Sequence, residues 1–189
     1  MIKGLIKKNR SYRRFKSGFE IKKETLIELI ELARLSASAA NLQPLKYIIS
    51  CDEEKNNKIF PCTKWAGYLS DWDGPGEGER PSAYILILGD NEIAKSFGCD
   101  HGIAAQNILL GAVEKGLGGC ILGAVKRKAL HEELDIPSKY EVLLVVALGK
   151  PNEEVVVDKA CDGDIKYWRD DKGVHHVPKR PTEEIILDL

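Results

Sequence analysis

The chain has 189 residues, and at roughly 100–200 residues per domain that length fits one domain or one domain with an appendage. With 43% apolar and 30% charged residues, its composition is that of a globular protein and excludes a disordered or fibrous one. Its 28 basic and 29 acidic side chains leave a net charge of −1, which excludes a chain given over as a whole to nucleic acid or to an anionic membrane surface.

In chain order, Ile2, Leu5 and Ile6 predict a short amphipathic helix that ends before Asn9-Arg10-Ser11. Residues 24–35 are apolar on more than one face and predict a largely buried helix. Small and polar residues from Ser36 to Pro44 break that period, and the proline forces its predecessor out of helix, so a loop opens into a strand over 45–50. Residues 61–81, rich in Gly and Pro, predict a mobile loop, and the apolar run 83–88 predicts a strand buried on both faces. A second buried helix is expected over 100–115, stopped by Gly116, Gly118 and Gly119, followed by a strand over 120–124 and a surface helix over 126–134. The run 142–148 predicts a third buried strand. Residues 151–189 show little apolar periodicity before Ile185-Ile186-Leu187 and predict an extension without a core of its own, lying across another surface. Strands alternating with helices give an α+β or α/β sandwich around one sheet over residues 1–150.

The five cysteines are odd in number and form no C-x-x-C pair, so neither a disulfide framework nor a zinc site is expected, and the four histidines lack ligand spacing. A reducing cytoplasm is the expected compartment. No secretory signal and no transmembrane helix are expected: the apolar stretch 102–125 is interrupted by Gln106, Asn107, Glu114 and Lys115.

Four segments can carry chemistry. Arg10-Ser11-Tyr12-Arg13 follows a helix, where two guanidinium forks and a hydroxyl suit phosphate oxygens. In Ser38-Ala39-Ala40-Asn41-Leu42-Gln43-Pro44, small residues let a planar ligand approach the backbone while two amides both donate and accept. The glycines of residues 116–123 follow a helix and precede a strand, the reverse of a dinucleotide fingerprint, so a Rossmann site is disfavoured. Lys179 and Arg180, between Pro178 and Pro181, would make a rigid phosphate clasp; a solvated terminus is the competing reading.

RSYRRF (10–15), SAANLQP (38–44), DHGIAAQNILLGAVEKGLGGCILG (100–123) and VPKRPTEEII (177–186), in this order, resemble the nitroreductase family of flavoproteins over essentially the whole chain. The resemblance implies a three-layer α+β sandwich with a mainly antiparallel sheet. It implies a homodimer that exchanges its C-terminal tails and holds FMN at the interface, passing electrons from NAD(P)H to a nitroaromatic, quinone or similar small acceptor. Arg10, Ser11 and Arg13 would meet the phosphate and ring edge, and Ser38, Ala39 and Asn41 the flavin or its ribityl chain. The backbone of Leu122 and Gly123 would face N5, and Lys179 and Arg180 the phosphate. No side-chain acid or base is then required, because the flavin carries the electron chemistry.

Ala39 stands where many members have a second serine, and Leu122 where some have an acid, so only backbone roles carry over there. Trp65, Tyr68 and Trp72, in loop 61–81, are candidates to stack on a planar acceptor or to pack on the core. Dehalogenation or flavin-fragmenting synthesis on the same fold, and a non-enzymatic flavin-binding or sensing protein, are the alternative functions.

Overall fold

The computed structural model describes residues 2–187. Its central sheet is antiparallel throughout, in the order β1-β2-β4-β3, with β1 at Leu45–Ser50, β2 at Ala83–Asp90, β3 at Gly118–Leu122 and β4 at Tyr140–Gly149. Period-two alternation on the two inner strands builds two cores. Ile85 and Ile87 of β2 and Val146 and Leu148 of β4 face one side; Tyr84, Leu86, Leu88, Val145 and Ala147 face the other.

On the first side lie α2 (Lys23–Arg34), which buries Leu26, Leu29 and Ala33, and α4 (Asp100–Glu114), which buries Ala104, Ala105, Ile108 and Ala112. A Cβ on Gly111 would stand 2.3 Å from Leu32 Cδ1, so the glycine lets the leucines of α2 seat against α4 without shifting. On the second side lie α3 (Glu53–Ile59) and α5 (Arg127–Glu133), which contribute Ile59 and Leu130. The result is the three-layer α+β sandwich, preceded by α1 (Ile2–Lys8).

Three expectations need correction. Helix α3 was not among the predicted elements; the Asp52 side chain caps it by accepting from the Lys55 N–H at 2.8 Å. Strand β3 starts at Gly118 rather than residue 120. A Cβ on Gly118 would meet Tyr12 at 2.5 Å, and one on Gly119 would meet the Ala147 carbonyl oxygen at 2.4 Å, so absent side chains admit the neighbouring backbone. Only Gly116, at φ +70°, acts as the helix stop, with Leu117 N–H donating to Ala112 O at 2.8 Å.

The tail, expected to have no core of its own, folds as a second sheet of order β5-β7-β6: Val155–Lys159, His175–Lys179 and Trp168–Arg169. It packs on the N-terminal segment of the same chain. Beyond it, α6 (Thr182–Ile185) leads to Ile185, Ile186 and Leu187, which are 64%, 65% and 75% exposed.

Loop 61–81 is not a free flap in this structure. Lys64 N–H donates to Ala124 O and Phe15 N–H to Glu79 O, both at 3.0 Å, and the ring of Trp65 is buried among core residues between these ties.

Candidate functional site

The glycines of β3 seat the arginine segment. Ser11 bridges to Gly119, and Tyr12 N–H donates to Gly119 O at 3.0 Å, so residues 11–15 run along the sheet edge. From the tail, the Glu153 carboxylate, only 2% exposed, accepts from the Arg13 and Arg14 backbone N–H groups and from Arg169 Nη2 at 3.0 Å. This buried acid fixes where the segment turns its side chains.

Arg10, Ser11, Arg13 and Lys179 thereby line one cavity of about 360 Å3, together with Gln106 and His175. Arg10 donates only to Ile6 O at 2.8 Å, and Arg13 Nη1 lies 3.2 Å from Ser11 O and 3.1 Å from His175 Nε2. Among the described residues none of the three cations has an acidic side-chain partner, whereas Arg14 pairs with Glu79 and Arg169 with Glu153. Three cations on one cavity without acidic partners suit an anionic ligand. Arg180 does not join it: its guanidinium pairs with Glu184 one helical turn on, and it does not line the cavity.

Ser38, Ala39 and Asn41 sit elsewhere on the chain. Asp100, 5% exposed at the start of α4, accepts from Ser38 Oγ at 2.6 Å and from Ala39 N–H at 3.2 Å, and Gln43 N–H donates to Ser38 Oγ at 2.9 Å. Ala40, Asn41 and Gln43 hold φ of 48°, 55° and 51°, left-handed non-glycine positions on either side of the right-handed Leu42, just beyond the Asp100 anchor. Ser38 and Asp100 line a cleft of about 290 Å3, separate from the cation cavity.

The Leu122 side chain is 4% exposed in the second core, so only its backbone is available to a ligand, and Gly123 is exposed. Of the three aromatics, Trp65 is 8% exposed and belongs to the core, and Trp72 lies between the guanidinium groups of Arg14 (5.9 Å) and Arg169 (4.9 Å). Those two are packing residues in this structure. Tyr68, 54% exposed, stays open, its ring 4.9 Å from that of Tyr167.

No nucleophile stands out at the cation cavity. Burial pushes the Cys120 thiol up from its ordinary value, keeping it protonated. Burial, with Arg13 and Arg169 next, pushes His175 down to about 4, so it is neutral at pH 7. Asp100, Glu153, Tyr167 and His175 were not singled out from the sequence, since each acts across a long sequence separation. No group of three metal-ligating side chains occurs among the described residues, and no helix there is long and apolar enough to cross a membrane.

An antiparallel sheet layered between helix pairs, with unpaired cations gathered where the N-terminal segment meets the tail, defines a nitroreductase-like α+β protein. The family model described as "Nitroreductase family" matches residues 6–68 and 80–150, and the chain belongs to this family of oxidoreductases. A protein of Archaeoglobus fulgidus named "Putative NADH dehydrogenase/NAD(P)H nitroreductase" is 32% identical over 146 residues, covering 73% of this chain and 79% of its own. The FMN-dependent nitroreductase of Clostridium difficile R20291 is 30% identical, with a TM-score of 0.65 over 86% of this chain and 92% of its own. A nitroreductase family protein of Streptococcus pneumoniae TIGR4, 17% identical, shares the fold with a TM-score of 0.73 over 100% of both chains.

Proposed function

We propose that this chain is an FMN-dependent oxidoreductase that takes electrons from NAD(P)H and passes them to a small planar acceptor such as a nitroaromatic or quinone. The observation that carries the reading is the cavity of Arg10, Arg13 and Lys179 beside the Ser11 hydroxyl, with no acid among the described residues pairing the three cations. A flavin phosphate brings a charge near −2 and three strong acceptors, which this donor set fits. FMN, once bound, supplies a ring that accepts and releases electrons. The chain's part is to offset the phosphate charge, to present backbone at Leu122 and Gly123, and to leave Tyr68 open toward the acceptor.

The cation cavity and the cleft at Ser38 are separate in one chain, and in this reading the two are brought together from two copies. The exposed apolar Ile185-Ile186-Leu187 end supports a homodimer in which that end crosses to the partner. A cytoplasmic setting agrees with five free cysteines.

Arg10→Ala and Lys179→Ala test the phosphate assignment. Each removes one charge-assisted contact and should weaken FMN about 10–100-fold. Riboflavin, which lacks the phosphate, should be almost unaffected in the same fluorescence titrations. Equal losses for the two flavins would refute the assignment.

A further inference from the structure

Arg13 is held differently from the arginines around it. Arg14 and Arg169 are fixed by carboxylates, Glu79 at 3.3 Å and Glu153 at 3.0 Å, and their charge is offset by those partners. The Arg13 guanidinium is held by neutral groups alone: the Ser11 carbonyl, the edge of His175 at 3.1 Å and the face of Tyr167, whose ring centre is 5.0 Å away.

We infer that His175, backed by Tyr167, is a positioning residue that aims Arg13 at the bound flavin through a neutral acceptor, fixing the guanidinium without cancelling its charge. The inference rests on the cofactor reading above. A guanidinium can only donate, so His175 Nε2 accepts and the ring proton is on Nδ1. His175 stands in the cavity wall with 0% exposed surface, its Nε2 turned to Arg13, and its ring lies 5.4 Å from that of Tyr167. The Tyr167 hydroxyl in turn accepts from Tyr68 N–H at 3.2 Å, which ties this mount to the open part of loop 61–81. A carboxylate in place of His175 would hold Arg13 more tightly and leave less net positive charge for an anionic ligand. The neutral mount avoids that loss.

The test is flavin affinity of the full chain, stripped of flavin and titrated with FMN, for Arg13→Ala, His175→Phe, His175→Gln and the double variant Arg13→Ala/His175→Phe. Phe fills the ring's space but cannot accept; the Gln amide oxygen can. His175→Phe should weaken FMN about 10-fold, the size of one charge-assisted hydrogen bond. His175→Gln should recover most of that, and the double variant should be no weaker than Arg13→Ala alone, because His175 acts only through Arg13.

The inference is overturned if His175→Phe binds FMN as the parent does while Arg13→Ala weakens it, or if Gln rescues no better than Phe, which would mark a packing role. Arg13→Ala without effect would instead sink the cofactor reading of Arg13 itself, so the two failures are separable. Circular dichroism melts report folding independently; if His175→Phe does not fold, His175→Asn, polar but too short to reach Arg13, takes its place with the same expected loss.

Discussion

Removing the Glu153 carboxylate should unfasten the N-terminal segment from the tail. The side chain is 2% exposed and bonds three donors: the Arg13 and Arg14 N–H groups and Arg169, itself only 13% exposed. Burial and the nearby Arg14 hold Arg169 below the usual arginine value, so its cation is costly there and Glu153 offsets that cost. Taking one partner from a buried pair costs about 3–5 kcal/mol. For a chain of this size 1 kcal/mol moves Tm by about 2–4 °C, so Glu153→Ala should lower Tm by about 6–20 °C. Glu153→Gln, which keeps one acceptor oxygen, should fall between. Adding Arg169→Met to Glu153→Ala should restore part of the loss, since no cation is then stranded. Thermal melts by circular dichroism measure all of this. A Glu153→Ala protein melting within about 2 °C of the parent would refute the claim that this carboxylate holds the two segments together.

Gly119→Ala should destabilise by about 1–3 kcal/mol, because its Cβ would lie 2.4 Å from the backbone oxygen of Ala147. Gly4→Ala, in α1 with nothing within 4 Å, should not destabilise in the same urea titrations. Asp100→Ala strips the acceptor from Ser38 Oγ and Ala39 N–H and should cost about 1–3 kcal/mol, with Asp100→Asn costing less; equal melts for all three proteins would deny the anchor. His175 sits at about 4 when folded and near 6.5 when unfolded. The unfolded chain therefore binds the extra proton between those values, and stability falls as pH drops from about 6.5 to 4, by roughly 3 kcal/mol at most. His175→Gln should flatten stability against pH in that window, which melts at stepped pH would show.

The inner layers were legible because the runs 83–88 and 142–148 are short, apolar and carry β-branched or aromatic residues, which favours buried strands, and because 24–35 and 100–115 carry continuous apolar faces. Helix α3 escaped because it buries only Ile59, although Asp52 followed by two glutamates is a cap signal. The tail sheet escaped for a different reason. Its parallel pair β5 and β7 is separated in sequence by β6, and the side chain it buries fully is His175 rather than an aliphatic one. Within the site, Arg10, Ser11, Arg13 and Lys179, singled out from the sequence for their donor groups, line one cavity. Arg180 instead pairs with Glu184, one helical turn on, a partner that the i,i+4 spacing already offered. Loop 61–81 looked mobile from its glycines and prolines, but Trp65 fills the core and Gly74, at φ +122°, leaves room for that ring.

The central claim is that this chain binds FMN and reduces it with NAD(P)H. Its most direct test is the absorbance spectrum of the purified full chain, reconstituted with FMN and then mixed anaerobically with NADH or NADPH. The account predicts flavin bands that bleach with at least one nucleotide and return when a quinone or nitroaromatic is added. Bands that persist with both nucleotides would contradict the enzymatic reading in favour of a flavin-binding protein, and a chain that takes up no FMN would contradict the assignment of the cation cavity.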